Sequence, residues 1–339
     1  MSNYLLSFCI PTYSNQIRMG ALNKLVSSLI NSYGNNELFE IVICDDSQEY
    51  NLQMIKYEQI YNNFRYYKNS ERKGLINNYI YVLSIATAEY VMPLSDEDEI
   101  NFEFINYIIN ILKTKKMNAI FGVVKGGDKK SIWFNWGNRV FESSKESLGS
   151  ELAFYGHFSG YILKRDKIDF DILLNDINAK NRSHIFPIAP TILTVARSGF
   201  FMTVEKDICY CGTFAKKVYE DEQFKKTAIY SPEGRMVMFN LYRNVFIEKI
   251  AHNKQEKEDM TIGLYKYFVF ILENDIRSRL LLPKDFLYFF KHAKNIDGLA
   301  YQIRMHSVIS YKITMKWIIW QIRIIIKKAI KNLILLRSL

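Results

Sequence analysis

Only four of the 339 residues are cysteine, and only six are proline. Four thiols do not make the framework of a disulfide-stapled secreted domain. Cys9 and Cys44 sit in apolar, strand-like runs, where a free cysteine acts as a small hydrophobe. Cys209 and Cys211 stand two apart, with no second cysteine pair and no histidine near them in sequence, so the spacing carries no tetrahedral zinc motif. A reducing compartment is the expectation. The chain also lacks a Gly-rich Walker loop and a G-x-G-x-x-G run, which removes the ATPase and dinucleotide motifs. It shows no internal repeat and no low-complexity linker. The amino terminus has no basic stretch followed by an apolar core and a small-residue cleavage site, so export by a signal peptide is not expected. Acidic residues are missing altogether from Gly298 to Leu339.

What is present describes a globular chain: 49% hydrophobic, 24% charged, and long enough to bury a full core. Much of the net charge of +10 belongs to the acid-free tail, which carries Arg304, Lys312, Lys316, Arg323, Lys327, Lys328, Lys331 and Arg337. On a helix over 311–339, Lys316, Arg323, Lys327 and Lys331 share one broad face, while Ile318, Ile322, Ile325, Ile326, Ala329 and Leu333 populate the other. Charges interrupt this segment too often for it to span a bilayer, which needs about 20 mainly apolar residues. With Trp317 and Trp320 at its flank, the helix reads as lying on an anionic membrane surface. Alternatively, it docks its Ile face on the protein and leaves its lysines in water. No recognition motif accompanies the cations, so nucleic acid is not expected as a partner.

The first third alternates apolar runs of strand length (Leu5–Ile10, Phe39–Cys44, Phe64–Tyr67, Tyr90–Leu94) with helical patterns such as Ile76–Ala86 and Phe102–Leu112. Near-continuous apolar strands separated by helices predict an α/β fold, a mostly parallel sheet covered on both faces. Right-handed crossovers then bring the strand C-termini to one edge, where open sheets bind ligands. From Asn118 to Phe214 shorter β-like pieces (Ala119–Val124, Tyr161–Leu163, Phe200–Val204) suit a mixed extension of that sheet. Helical periodicity dominates from Tyr230 onward, in Met236–Ile250, Ile262–Asp275, Lys284–Lys294 and Ile303–Leu336. The expected division is 1–215, with halves 1–115 and 116–215, followed by a helical region 216–339.

Three clusters at the predicted strand ends can carry chemistry. Ser95-Asp96-Glu97-Asp98-Glu99 follows an apolar strand. On an extended segment Asp96 and Asp98 would project to one side and converge on a Mg²⁺ or Mn²⁺ ion; the alternative is an acidic loop at the start of the next helix. Asp45-Asp46 can accept hydrogen bonds from a base or ribose, or can cap a helix. Asn69-Ser70-Glu71-Arg72-Lys73-Gly74 can meet a pyrophosphate, or can be a solvated basic turn.

Taken in order, a strand ending in Pro11-Thr12-Tyr13, a strand ending in Asp45-Asp46-Ser47, a basic glycine turn before an Asn-bearing helix, and a strand ending in Asp96-x-Asp98 resemble the nucleotide-binding half of family-2 glycosyltransferases with the GT-A fold. The resemblance runs from about Leu5 to Leu112. It implies that Pro11 and Tyr13 line the base and ribose pocket, and that Asp45 and Asp46 contact the base. Arg72 or Lys73 would lie near the diphosphate or the base, and Asn77 would face the donor. Asp96 would meet the ribose or a metal-bound water, and Asp98 would hold the Mn²⁺ or Mg²⁺. The implied reaction is inverting transfer from a nucleoside diphosphate sugar, with a UDP-sugar the expected donor. The acceptor would be a glycan or a polyprenyl-linked oligosaccharide in surface polysaccharide synthesis, at the cytoplasmic face of the cell membrane. The chain departs from the family where many members carry a Glu-Asp pair: Asn181–Pro187 has none. His184 stands there as candidate base or as a structural loop residue, with Asp176 the nearest upstream carboxylate and His157, in a glycine-flanked segment, a further candidate. A nucleotidyltransferase of related fold and a catalytically degenerate nucleotide-binding or membrane-surface scaffold remain alternative readings.

Overall fold

β1 (Leu6–Thr12) and β2 (Phe39–Asp45) are buried at every position, as a parallel strand covered on both faces must be. Adjacent side chains of β1 leave by opposite faces. Phe8 stacks on Tyr33 of α1 (Gln16–Tyr33), while Cys9 lies within electrostatic reach of Tyr79 in α3 (Gly74–Ile85). The computed structural model describes residues 4–13, 16–142, 155, 157–175, 188–197, 199–212 and 231–277.

Between β2 and β3 (Phe64–Lys68) runs α2 (Leu52–Ile60), a helix that the sequence pattern does not announce, because Met54 is its one buried residue. Its N-cap is Asn51, whose side chain accepts from the Gln53 amide at 3.2 Å. After α3 come β4 (Tyr90–Pro93), the short β5 (Glu99–Ile100) and α4 (Phe102–Thr114), which buries Phe104, Ile105, Ile108 and Leu112 on one stripe. β6 (Met117–Gly126), β7 (Ile132–Phe134), β8 (Arg139–Glu142), β9 (Tyr161–Lys164) and β10 (Phe200–Cys211) complete the strands, with α5 (Phe170–Asn175) and α6 (Ile188–Val195) between the last two.

One sheet of ten strands results, in the order β3-β2-β1-β4-β9-β6-β10-β5, with β7 beside β6 and β8 beside β10. The first four strands of that order are mutually parallel; β9 runs antiparallel to both β4 and β6, and β10 is parallel to β6. The expected α/β fold with a mixed extension is therefore present. β1 leads outward to β2 and β3 on one side and meets β4 on the other, so the chain reverses direction between β1 and β4. At such a switch point loops diverge and leave a crevice at the strand C-termini.

The C-terminal region opens with α7 (Pro232–Leu241), capped by Ser231, passes through a π-type segment (Tyr242–Ile247), and continues in α8 (Lys254–Arg277). These match the helical periodicities expected over 236–250 and 262–275. The expected helices over 284–294 and 303–336, and with them the basic tail, lie outside the described residues.

Candidate active site

The residue after β2 organises the crevice. Asp46 is 5% exposed, and its carboxylate accepts from the Lys73 amide at 2.7 Å, the Gly74 amide at 2.7 Å and Asn69 Nδ2 at 3.0 Å. α3 has no capping side chain of its own, since Lys73 at its N-cap makes no side-chain bond. Asp46 supplies that cap from a different strand, and so fixes the Arg72-Lys73-Gly74 turn against β2. Gly74 takes φ +76°, a left-handed conformation that favours glycine. The sequence offered capping as one reading of this aspartate; the helix it caps is α3, not the next one in the chain.

Asp45 is fully buried. Its Oδ1 accepts from the Ser47 amide at 2.9 Å and its Oδ2 from the Tyr66 hydroxyl at 2.7 Å. Both aspartates thus hold protein groups. Asn77, expected to face the donor, donates back to the Lys73 carbonyl at 2.9 Å. Its neighbour Asn78, which the sequence reading passed over, makes the long-range bonds. Asn78 donates to the carbonyls of Cys44 at 2.9 Å and Thr12 at 3.2 Å, and accepts from Asn69 Nδ2 at 2.8 Å. That one side chain ties together the ends of β1 and β2, the loop after β3, and α3. Pro11 is buried within β1, whereas Tyr13 is exposed, with the Arg72 guanidinium 4.7 Å above its ring. Lys73 extends over Tyr81 instead.

Asp96 and Asp98 do not sit on an extended segment. Asp96 and Glu97 form a turn, closed by the Asp98 amide donating to the Ser95 carbonyl at 3.2 Å. The two carboxylates therefore reach different partners. Asp96 accepts from Thr12 Oγ1 at 2.6 Å and lies 3.5 Å from Arg18 Nη1, at the start of α1. Burial pushes its carboxyl above the usual range, against the pull of Arg18 and Thr12, and the nearby charge of Asp98 adds to the rise. Asp98 accepts from Ser159 Oγ at 2.6 Å, from the Gly212 amide at 2.9 Å, and faces His157 Nε2 at 3.2 Å. Glu97, between them, has a buried Oε2 with no hydrogen-bond partner, and burial raises its carboxyl to about 7. Ser159 and Gly212 are contributions that only the fold reveals: one precedes β9, the other follows β10.

His184 and Asp176 lie outside the described residues. His157 is described, and it belongs to the Asp98 cluster. A separate cleft of about 580 Å³, lined by Asp166, Asp169, Arg197 and His252 among others, opens beyond the last residue of β9. That end of β9 pairs with Tyr90 at the start of β4, so the cleft is at the opposite edge of the sheet.

A parallel β3-β2-β1-β4 core, with polar side chains collected at its C-terminal edge and a mixed extension beyond β4, defines a nucleotide-sugar transferase fold of the GT-A type. Residues 7–171 match Glycosyl transferase family 2, and this half of the chain belongs to that family. The protein is a glycosyltransferase. Among solved structures it resembles S. aureus TarS 1-349 in complex with UDP-GlcNAc, at 17% identity and a TM-score of 0.58, over 82% of this chain and 76% of that one. The same protein in complex with UDP matches at 17% identity and a TM-score of 0.57, over 83% of this chain and 77% of the other. At such identity the likeness is one of fold. No curated protein gives a significant match.

Members of this fold class usually use a divalent cation, and the donors here fit one. Asp96, Glu97 and Asp98 are consecutive carboxylates, the Arg18 guanidinium lies beside Asp96, and Glu97 Oε2 is a buried acceptor with no hydrogen-bond partner. Carboxylate oxygens completed by water and phosphate are the ligands that Mg²⁺ and Mn²⁺ take. Among the described residues no helix is long and apolar enough to cross a membrane.

Proposed function

We propose that this chain transfers a sugar, with inversion, from a nucleoside diphosphate sugar to a hydroxyl of a glycan or polyprenyl-linked acceptor. The observation that carries the reading is the convergence of Thr12, Arg18, Tyr13–Arg72 and Asp96–Asp98 at the crevice between β1 and β4. Arg72 over Tyr13 forms a flat cationic surface suited to a base or diphosphate. Thr12 and Arg18 hold the Asp96 carboxylate, whose free lone pairs can accept from ribose hydroxyls. In the reaction the acceptor oxygen bonds to the anomeric carbon as the bond to the diphosphate oxygen breaks. A base takes the acceptor proton, and His184 is the candidate. A divalent cation bound at the Asp-x-Asp segment would balance the charge of the departing diphosphate. A uridine donor is favoured by the likeness to TarS, whose solved structures hold UDP and UDP-GlcNAc.

The basic tail supports the lipid-linked branch of the acceptor range. Tyr311–Leu339 would rest its Ile/Trp face on an anionic leaflet, each nearby cation adding roughly 1 kcal/mol of attraction. The test of the whole reading is a thermal-shift series with UDP, UDP-GlcNAc, GDP-mannose and UTP, with and without Mn²⁺, followed by product analysis. A UDP-sugar should raise the melting temperature and release UDP with an acceptor, and Asp98→Asn should abolish that release. Pyrophosphate release from UTP, or no response to any nucleoside diphosphate sugar, would overturn it. For the tail, a chain truncated before Tyr311 should leave anionic liposomes and keep its fold; retained binding would remove the membrane assignment.

A further inference from the structure

The cysteine pair that the sequence leaves without ligand partners acquires them in the fold. Cys209 and Cys211 alternate on β10 so that both thiols leave by the same face. Against that face the loop after β4 places Asp98, and the segment before β9 places His157. A carboxylate oxygen of Asp98, an imidazole nitrogen of His157 and the sulfur of Cys209 all lie within 4.8 Å of one another. His157 Nε2 is 3.2 Å from Asp98 Oδ2 and 3.0 Å from Cys211 Sγ, so one ring nitrogen points into a pocket of oxygen and sulfur.

We propose that Asp98, His157 and Cys209 form a binding site for a borderline-soft divalent cation of the zinc class, with Cys211 at hand as a fourth donor. In a tetrahedral site with bonds of about 2.0–2.3 Å, donor atoms stand ~3.3–3.8 Å apart, within about an ångström of the present spacing. The donors are held by their neighbours, as metal ligands must be. Gly212 N and Ser159 Oγ orient Asp98, and the His157 ring packs against Trp133 and Phe134. Asp98 and the two cysteines are buried, while the His157 side chain is 18% exposed and offers the route in. Binding releases the thiol proton to solvent as sulfur coordinates as thiolate.

This site differs from the cation site at the donor phosphates. There the ligands are hard oxygens, which suit Mg²⁺ or Mn²⁺; here nitrogen and sulfur favour zinc over both. The two would share Asp98. A zinc-class ion would draw Asp98 toward β10 and inhibit transfer, a consequence that rests on the donor-site reading of Asp98, whereas the binding itself does not.

The experiment uses the full chain and the metal alone. Titration with Cd²⁺ should produce the ultraviolet charge-transfer band of a cadmium–thiolate bond. Cys209→Ser should diminish the band, the double change Cys209→Ser with Cys211→Ser should abolish it and His157→Asn should weaken it, while Cys9→Ala, altered in the core of β1, should keep it. Zn²⁺ affinity, read by competition with a chromophoric chelator, should fall by more than the roughly 10–100-fold that outer partners alone command. An undiminished band in Cys209→Ser, or Zn²⁺ held as tightly by folded His157→Asn as by the wild type, overturns the site. Because no donor is present, failure of the transferase reading would leave this result standing. Failure here would leave transfer measurable with Mn²⁺.

Discussion

Replacing Asp46 by asparagine separates a positioning role from a ligand-binding one. In the wild type the carboxylate accepts three N–H groups: Lys73 N and Asn69 Nδ2 on one oxygen, and Gly74 N on the other. An amide in the same place keeps one acceptor and turns the other into a donor. The better of its two orientations saves the Lys73 and Asn69 bonds and sets an NH₂ against the Gly74 amide. One charge-assisted bond is lost, about 1.5–3 kcal/mol, and the negative charge at the α3 N-terminus goes with it, about 0.3–1 kcal/mol more. Asp46→Asn should therefore destabilise by about 2–4 kcal/mol, read as a lower urea midpoint at unchanged slope. Donor affinity should fall as well, because the Arg72 turn hangs from this latch. If Asp46 instead spends its carboxylate on the base of the donor, the variant would lose affinity alone. A stability change under about 0.5 kcal/mol would refute the latch.

Tyr66→Phe removes the hydroxyl that donates to buried Asp45 and accepts from the Asn51 amide, and should cost about 1–3 kcal/mol in denaturant titration. Gly212→Ala would place a Cβ 2.2 Å from the Glu97 carbonyl, so the Asp-x-Asp turn must shift. The variant should lose the thermal response to donor as well as stability. Glu97, with its carboxyl raised to about 7 by burial, stays protonated in the folded chain while it ionises in the unfolded one. Without metal, stability should consequently be full below the ordinary carboxyl range, fall as pH rises toward about 7, and level off above. Glu97→Gln should flatten that slope in melting temperatures taken in chelator from about pH 4 to pH 8.

The parallel core was legible in the sequence because strands buried on both faces must be apolar along their length, and β1, β2 and β4 are. Strand ends could be read the same way, since apolar runs stop where polar residues begin. That reading placed Asp45, Asp46 and Asp96 at one edge. α2 escaped notice because a helix that buries Met54 alone leaves no stripe. Asn77 and Asn78 could not be ranked, because both open the same helix and only the position of β1 and β2 makes Asn78 the one that faces inward.

Periodicity along a chain records which face of an element is covered, because burial selects residue type locally. It does not record what covers that face. The turn that parts Asp96 from Asp98, the capping of α3 by an aspartate 28 residues before Gly74, and the meeting of Asp98 with His157, 59 residues away, are decided by strand order and register. The sequence by itself determined the elements, the edge at which they end and the family they belong to. Which carboxylate holds a helix, and which faces a thiol, was settled only when a sheet with β9 and β10 on the far side of β4 closed around them, because hydrogen bonds act over about 3 Å whatever the separation in sequence.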